Sequence, residues 1–305
     1  MAKRVVGTGL TGSSADNLRG STFMLLAMAA FAIEDMFIKA AAETISLGVV
    51  LALFGFGGMF VFMLMTWSKG EKVLRPEVVS GPILTRAACE IIGRLCFALA
   101  ITLTPLSSAS AILQATPLVV VVGAALIFRE HVSTSRWIAI ALGFCGVLMI
   151  IRPGLDSFNP ASLFALLSTL GFAGRDLATR GASTSLSNAH LGVYGFFVLI
   201  PTGLVLHVVQ AEAVDLQFKA MLSVLGAVAF GVIAYNALTI AMRTGDVSVV
   251  TPFRYTRLLF SFALGFVIFG EIPDIWTWIG AGVIVSSGVY TLLVSRQSMR
   301  KKAHV

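Results

Sequence analysis

The chain has 305 residues, of which 57% are hydrophobic and only 12% are charged. Its mean hydropathy is +0.92, and a soluble domain carries roughly twice this share of charge. The composition therefore excludes an ordinary soluble domain and predicts an integral membrane protein. The net charge of +7 lies mainly in the tails and short loops, which favours a role in membrane topology over a nucleic-acid partner.

The first segment in chain order, residues 1–18, is polar and lacks the apolar stretch of a signal peptide. We expect it to form a mobile cytoplasmic tail. Ten apolar segments follow, each close to the ~20 residues that a transmembrane helix needs. These predicted spans are 20–40, 45–67, 81–101, 106–128, 134–151, 160–180, 189–209, 219–241, 247–269 and 275–295.

Positive charge in the connecting segments orients the spans, because cytoplasmic loops carry an excess of lysine and arginine. With the N-terminus inside, fourteen such residues fall on the inner side, and only Lys39, Arg152 and Lys219 fall on the outer side. Both termini are therefore predicted to be cytoplasmic. The end of the chain, 297–305, is predicted to be a basic cytoplasmic tail.

One constant shift along the chain aligns the second half of the sequence with the first. Acidic and aromatic matches at a single offset are much rarer by chance than apolar matches. The clearest pairs are Phe31 with Phe172, Asp35 with Asp176, Glu130 with Glu271, and Trp137 with Trp278. The halves then cover 19–152 and 153–296 with five spans each, and because five is odd the second half is inverted. Transporters use inverted halves that exchange conformations; a duplication kept only for packing is the alternative.

Several motifs of the first half carry a resemblance to a known family. They are Pro105-Leu106, Ala111-Ile112, Thr116-Pro117-Leu118, Glu130, Arg136-Trp137, Gly143-Phe144-Cys145-Gly146-Val147 and Ile151-Arg152-Pro153-Gly154. The second half keeps Glu271, Trp278, Gly280 and Gly288, but it has Leu258 where the first half has Pro117. In this pattern the chain resembles the EamA-type transporters of the drug/metabolite transporter superfamily.

The resemblance implies an all-α membrane protein whose ten transmembrane helices form two inverted five-helix repeats around a central cavity. It also implies a secondary transporter of the bacterial inner membrane, similar to bacterial exporters of amino acids, aromatic ones included. An uptake carrier or exchanger for a cationic metabolite or drug is the first alternative. A membrane-embedded transferase is an alternative of another class, but the four scattered histidines argue against it.

Nine ionisable residues lie inside the predicted spans, where a charge is costly and usually marks a pathway. At about 1.5 Å per residue, Glu34, Asp35 and Arg94 share one level in the outer half, so Arg94 can pair with either acid. The predicted substrate pathway comprises Arg94, Glu90, Gln114, Tyr255, Glu34, Asp35, Tyr235 and Asn236. The predicted inner gate, nearer the cytoplasm, comprises Arg86, Arg175, Asp176, Arg254 and Arg257.

Some of these charges have a structural interpretation. Asp35 and Lys39 are four residues apart on one helix, a spacing that favours a simple helix-internal pair. Arg86, Glu90 and Arg94 form a stripe with the same spacing, and three ionisable groups on one face favour a function over mere packing.

Three further residues mark bends and turns. Pro117 lies within the fourth span, where it removes a backbone hydrogen bond and can act as a hinge or curve the helix around a cavity. Glu130 and Glu271 each follow an apolar helix and precede the next one, a position typical of a capping or turn residue.

No catalytic motif and no metal-ligand spacing occurs in the sequence, so we predict neither an enzyme nor a cofactor. No soluble segment is long enough for a nucleotide-binding domain, and energy must therefore come from solute or ion gradients. Glu34, Asp35 or Glu90 could carry protons. The predicted partners are a small-molecule substrate, an amino acid or a similar metabolite, and the lipid bilayer, with no nucleic acid; we expect a monomer.

Overall fold

A computed structural model describes residues 14–127, 134–152, 159–180, 186–211, 217–244 and 251–303, and these residues contain no β-strand. The first half holds α1 (Ser14–Ala42), α2 (Leu47–Ser68), α3 (Gly81–Leu103), α4 (Leu106–Leu113), α5 (Thr116–Ile127) and α6 (Thr134–Ile151). The second half holds α7 (Ser162–Arg180), α8 (Asn188–Phe197), α9 (Leu199–Gln210), α10 (Phe218–Thr244), α11 (Thr256–Phe269) and α12 (Ile275–Ala303). Short 3₁₀ turns, Pro76–Val79 and Thr251–Tyr255, precede α3 and α11.

The local sequence explains where several helices begin and end. Ser46 precedes α2, and its side-chain oxygen accepts a hydrogen bond from the backbone N–H of Val49 at 3.4 Å, as an N-cap residue does. A proline occupies the first turn of α3, where its missing N–H costs nothing. Gly270 ends α11 with a φ of 63°, a left-handed conformation that glycine adopts without strain.

Five helical stretches of the described chain are long and apolar enough to cross a membrane: Ala15–Ala42, Leu47–Ser68, Leu106–Ile127, Asn188–Gln210 and Phe218–Ala241. Trp137–Ile151 and Ile275–Tyr290 are apolar but shorter. The protein is thus a multi-pass helical membrane protein. Length and composition alone do not reach the predicted ten spans, because α3 and α7 carry internal charges that lower their apolar content.

The helix bounds differ from the predicted ones at three places. α1 begins at Ser14, within the predicted tail 1–18, of which 1–13 lies outside the described part. The predicted span 247–269 opens outside it as well, at 247–250, and continues as a 3₁₀ turn before α11. α12 continues to Ala303 and so includes most of the predicted basic tail.

Helices of the two halves pack against each other in a pattern that repeats when the halves are exchanged. α1 packs along α10, and its counterpart α7 packs along α3, which is the counterpart of α10. α2 packs on α8 and α9, and α6 packs on α12, so each of these contacts joins counterparts. This is the pairing that a pseudo-two-fold axis between two related halves produces.

Two contacts across the halves bring backbones together closely enough to require glycine. A Cβ atom on Gly171 would lie 2.5 Å from the backbone nitrogen of Gly93, where α7 crosses α3. A Cβ atom on Gly146 would lie 2.7 Å from the carbonyl oxygen of Gly280, where α6 crosses α12. Small residues at membrane helix crossings gain dispersion contacts over the whole interface, so these pairs hold the two halves together.

Candidate functional site

Two helix interruptions occupy equivalent positions in the two halves. α4 ends at Leu113 and α5 begins at Thr116, whereas the 3₁₀ turn ends at Tyr255 and α11 begins at Thr256. Gln114 and Tyr255, which the repeat aligns with each other, therefore lie at matching breaks. Membrane helices are interrupted where a cavity or neighbouring protein satisfies the freed backbone groups.

Pro117 accounts for the first interruption. Proline has no N–H to donate to the carbonyl four residues earlier, which is that of Leu113. The hydroxyl of Thr116 donates to this carbonyl instead, at 2.6 Å. The second half has Leu258 at the position of Pro117, so its interruption has another origin. The predicted hinge thus coincides with a real break in the helix.

A cavity of about 50 Å³ lies beside these breaks. Its charged and polar lining comprises Arg94, Arg175, Arg254, Arg257, Gln114 and Thr116, and its two aromatic walls are Phe31 and Phe172. The volume suits a few water molecules, each of which needs at least ~10–15 Å³. Metabolite sites usually measure ~300–1,000 Å³, so in this conformation the cavity is too small for a metabolite.

Two short ion pairs connect the first helix to the cavity. Arg94 Nη1 donates to Glu34 Oε1 at 2.5 Å, and Arg257 Nη2 donates to Asp35 Oδ2 at 2.5 Å. Both carboxylates are completely buried. The arginines also lie over aromatic rings, with Arg257 5.1 Å from the ring centre of Phe31. A buried charge is retained when it is paired in this way.

These pairs decide two sequence-based expectations. Arg94 pairs with Glu34, as the predicted levels allow. Arg257, predicted among the inner-gate residues, pairs with Asp35 of the predicted pathway, so the two predicted groups are joined. The helix-internal pair of Asp35 and Lys39 is wrong, because both residues bind partners from the other half.

A second group of charges adjoins the first. Glu90 accepts from Arg175 at 3.5 Å and lies 3.7 Å from Arg86. Arg175 also donates to Asp176 at 2.9 Å, while Arg254 Nη1 lies 3.7 Å from the other oxygen of Asp176. Four of the five predicted inner-gate residues are therefore connected through shared carboxylates.

The other predicted pathway residues surround this centre. Tyr235 accepts a hydrogen bond from Arg86 at 3.1 Å, and Asn236 turns its amide to the sulfur of Met65 on α2 at 3.6 Å. The buried hydroxyl of Tyr255 has no partner in the described part of the chain, and a Cβ atom on Gly288 would collide with it. None of these three lines the cavity with the arginines.

A separate ion pair joins the turn after α11 to α1 and to the start of α4. Glu271, in the turn after α11, accepts from Lys39 Nζ at 2.7 Å and from the backbone N–H groups of Leu106 and Ser107 at 2.8 and 3.2 Å. Burial raises the pKa of Glu271, but these hydrogen bonds outweigh burial and hold the pKa below its ordinary value. We call Lys39, Glu271 and the start of α4 the cross-half latch.

The predicted capping role of Glu271 is confirmed, although the helix it caps is α4 of the other half. Asp274 caps the following helix, α12, by accepting from the Thr277 N–H at 2.8 Å, and it forms an ion pair with Arg152. Glu130, the sequence counterpart of Glu271, lies outside the described residues. The sequence analysis did not predict the ion pair between Glu271 and Lys39. The match between Glu130 and Glu271 in the repeat nevertheless singled out Glu271.

The aromatic walls were also missed as site residues. Phe31 and Phe172 are counterparts in the repeat, and both line the cavity. The sequence could have indicated them, because they match each other in the repeat and lie close to the matched aspartates Asp35 and Asp176. This distinguishes them from the many other phenylalanines of the chain.

Interrupted helices, buried ion pairs and a small polar cavity between two related halves are features of a membrane transporter fold. Comparison with known proteins identifies its family. The model of the EamA-like transporter family matches residues 18–152 and again 159–293, with the second match displaced by the same offset that aligns Asp35 with Asp176. The chain therefore belongs to the EamA-like transporter family.

Curated relatives are transporters with different named cargoes. A riboflavin transporter of Vibrio cholerae is 28% identical over 66% of this chain and 67% of its own length. An S-adenosylmethionine uptake transporter of Rickettsia prowazekii is 25% identical over 93% and 96%. A pseudopaline exporter of Pseudomonas aeruginosa is 24% identical over 87% and 93%.

A solved crystal structure also matches, with a TM-score of 0.62 and 18% identity over 93% of this chain and 99% of the other. A likeness at this identity supports the fold alone. Family membership and the curated relatives make this chain a transporter of small molecules.

Proposed function

We propose that this chain is a secondary carrier that moves a small organic metabolite across the bacterial inner membrane by alternating access. In this proposal ten spans form two inverted five-helix repeats, both termini are cytoplasmic, and α4–α5 and α8–α9 are interrupted single spans. The observation that carries the proposal is the cavity at two equivalent helix breaks, because carriers bind cargo where discontinuous helices of inverted halves meet.

Alternating access requires contacts that close one face at a time. With the predicted orientation, the cross-half latch and the Arg152–Asp274 pair lie on the outer face, and each joins one half to the other. Opening that face breaks these contacts and widens the cavity, which is too small for a metabolite while both faces are closed.

The cargo must satisfy both the rings and the polar groups of the cavity. Phe31 and Phe172 offer aromatic faces, and Gln114 and the arginines offer hydrogen-bond donors. An aromatic amino acid, exported from the cytoplasm, meets both requirements and remains our proposed cargo class. Riboflavin and S-adenosylmethionine, named for two relatives, likewise join a planar ring system to a polar chain, so a related metabolite, taken up or exported, is the second candidate.

Coupling to protons has a structural candidate in the buried acids. Glu34, Asp35 and Glu90 each keep one buried carboxylate oxygen without a hydrogen-bond partner in the described part of the chain. An oxygen of this kind can accept a proton once the neighbouring arginine turns toward the cargo. The proposal assigns this role first to Glu34, whose partner Arg94 lines the cavity.

Counterflow in proteoliposomes tests the proposed function. Vesicles loaded with unlabelled phenylalanine, tryptophan, riboflavin or S-adenosylmethionine should take up the same labelled compound faster than empty vesicles, for at least one of the four. Arg94→Gln should abolish the effect, whereas Leu225→Ala, a change at a lipid-exposed side chain of α10, should not. Equal uptake with and without internal solute for all four compounds, or chemical conversion of the label, would refute this carrier.

A further inference from the structure

The lining of the cavity has an excess of hydrogen-bond donors. Three lining residues have a buried polar atom without a hydrogen-bond partner in the described part of the chain, and these atoms are Arg94 Nε, Gln114 Nε2 and Arg257 Nε. All three are donors. Gln114 is 5% exposed, so its amide is available only to something inside the protein. An unmade buried hydrogen bond costs roughly 1–3 kcal/mol, and a ligand that accepts hydrogen bonds removes that cost.

The charges are also unbalanced, and the excess lies on one side of the cavity. Arg94 pairs with Glu34 and Arg257 with Asp35 at 2.5 Å, and Arg94 Nε also lies 4.0 Å from Glu90. The remaining carboxylates, Glu90 and Asp176, face three arginines, which are Arg86, Arg175 and Arg254. Among these nine charges of the described residues, the five arginines outnumber the four carboxylates by one, and Arg86 and Arg175 make further contacts. A buried excess charge is costly until a counter-ion arrives.

Among the arginines that line the cavity, Arg254 is the one to which we assign this excess positive charge. Among the described residues, its nearest carboxylate oxygen is on Asp176, 3.7 Å away, beyond hydrogen-bond distance. Arg175 approaches the same carboxylate at 2.9 Å and thereby takes most of its charge. Arg254 is thus the cavity arginine with the weakest carboxylate contact, and 23% of its side chain is exposed.

The repeat shows that this positive side is specific to the second half. Arg254 and Arg257 occupy the positions that Leu113 and Thr116 occupy in the first half. All four residues line the cavity. One wall is therefore cationic and the opposite wall is neutral, although the two helices are related by the repeat. A bound molecule is oriented by this difference.

We infer that the cargo carries one carboxylate, or an equivalent singly charged acceptor group, and that Arg254 binds it while Gln114 donates a further hydrogen bond. The inference rests on the proposed function, because it takes this cavity to be the transport site. Arginine suits the role since its planar guanidinium donates two parallel hydrogen bonds to a carboxylate. The aromatic part of the cargo then packs against Phe31 and Phe172.

Benzoate and its neutral isostere benzamide test the inference without knowledge of the natural cargo. Binding to the purified full-length chain in detergent would be measured by ligand-induced thermal stabilisation. The wild-type protein should bind benzoate at least about 10-fold more tightly than benzamide, as a charge-assisted bidentate contact requires. Arg254→Gln should remove that preference, and Arg19→Gln, at an exposed arginine of α1, should keep it.

A second variant covers the case in which Arg254→Gln does not fold. Asp176→Asn removes the carboxylate that competes for Arg254 and should increase the preference for benzoate. The inference is overturned if the wild-type protein binds the two compounds equally or binds neither, if Arg254→Gln keeps the preference, or if Asp176→Asn lowers it. Counterflow that persists without a benzoate preference refutes this inference alone. A benzoate preference without any counterflow refutes the proposed carrier and leaves the anion site standing.

Discussion

In the proposed orientation, replacing Glu271 by glutamine should destabilise the closed state of the outer face, where the cross-half latch lies. The carboxylate accepts hydrogen bonds from Lys39, from two backbone N–H groups of α4 and from the Ser107 hydroxyl, all within 3.2 Å. Glutamine keeps one acceptor oxygen but loses the charge. Lys39 then remains largely buried opposite a neutral amide.

The size of the effect follows from burial. The side chains of Lys39 and Glu271 are 13% and 10% exposed, which places the pair between a surface pair worth ~0–1 kcal/mol and a fully buried pair whose disruption costs ~3–5 kcal/mol. We expect a loss of about 2–3 kcal/mol from the closed state only, since the open state lacks the contact. That loss shifts the equilibrium toward the open face by about 30- to 150-fold.

The labelling rate of a cysteine introduced one turn beyond the cross-half latch on α4 measures this shift. Ser110 is completely buried one turn after Ser107 on α4, so Ser110→Cys in a background without native cysteines should react with a membrane-impermeant maleimide only when the outer face opens. In Glu271→Gln the labelling rate should rise at least about 30-fold.

The same face supplies a matched control. Asp274→Asn weakens the Arg152 pair, whose side chains are 24% and 39% exposed, and asparagine still caps α12. Its effect on maleimide labelling at position 110 should stay below about fivefold. Equal labelling rates in Glu271→Gln and the wild-type protein, or a larger effect from Asp274→Asn, would refute the reasoning that burial makes the cross-half latch the dominant closure.

Three further outcomes are expected. Because the pKa of Glu271 is held below its ordinary 4.5, the latch contributes stability above that pH and is lost as the pH falls through the lowered pKa. Maleimide reacts with the thiolate, whose share falls with pH, so the labelling rate at position 110 is divided by that of an exposed reference cysteine at the same pH. This ratio should be flat from about pH 7 down to the lowered pKa and rise only below it. Gly171→Ala places a Cβ against the backbone of α3 and should lower the melting temperature by several degrees. Gly282→Ala, where a Cβ meets open space, should leave it unchanged. Equal melting temperatures of the two variants would contradict the close crossing of α7 and α3. Thr116→Val should lower the free energy of unfolding by about 1–3 kcal/mol, because the Leu113 carbonyl loses its hydrogen-bond donor. Pro117→Ala restores a backbone N–H and should recover that loss in the double variant. Additive losses in the double variant would contradict the role of Thr116 as the substitute donor.

The membrane class of the protein and its two related halves could be predicted from the sequence, because both depend on patterns that many residues share. The offset that aligns Asp35 with Asp176 is also the displacement between the two family matches. Arg94 could be matched to Glu34 or Asp35 because all three lie on uninterrupted helices, where depth grows evenly with residue number; the choice of Glu34 required the structure.

The partners of Lys39 and Arg257 could not be predicted in the same way. Both bind carboxylates of the other half, and sequence spacing carries no information about which helices become neighbours. The excess charge of the site was visible in the sequence, but its concentration on Arg254 required the distances.

The pairing of Asp35 with Arg257 has a consequence for biosynthesis. These residues are 222 positions apart, and a ribosome adding ~5–20 residues per second needs roughly 10–45 s to reach the arginine after the aspartate. During that interval a helix bearing two acids has entered the membrane, and Arg94 can reach only one of them. Until the second half is made, Asp35 therefore lacks the arginine that pairs with it in the folded protein. Truncated chains that end before α11 should accordingly be targets for membrane proteolysis.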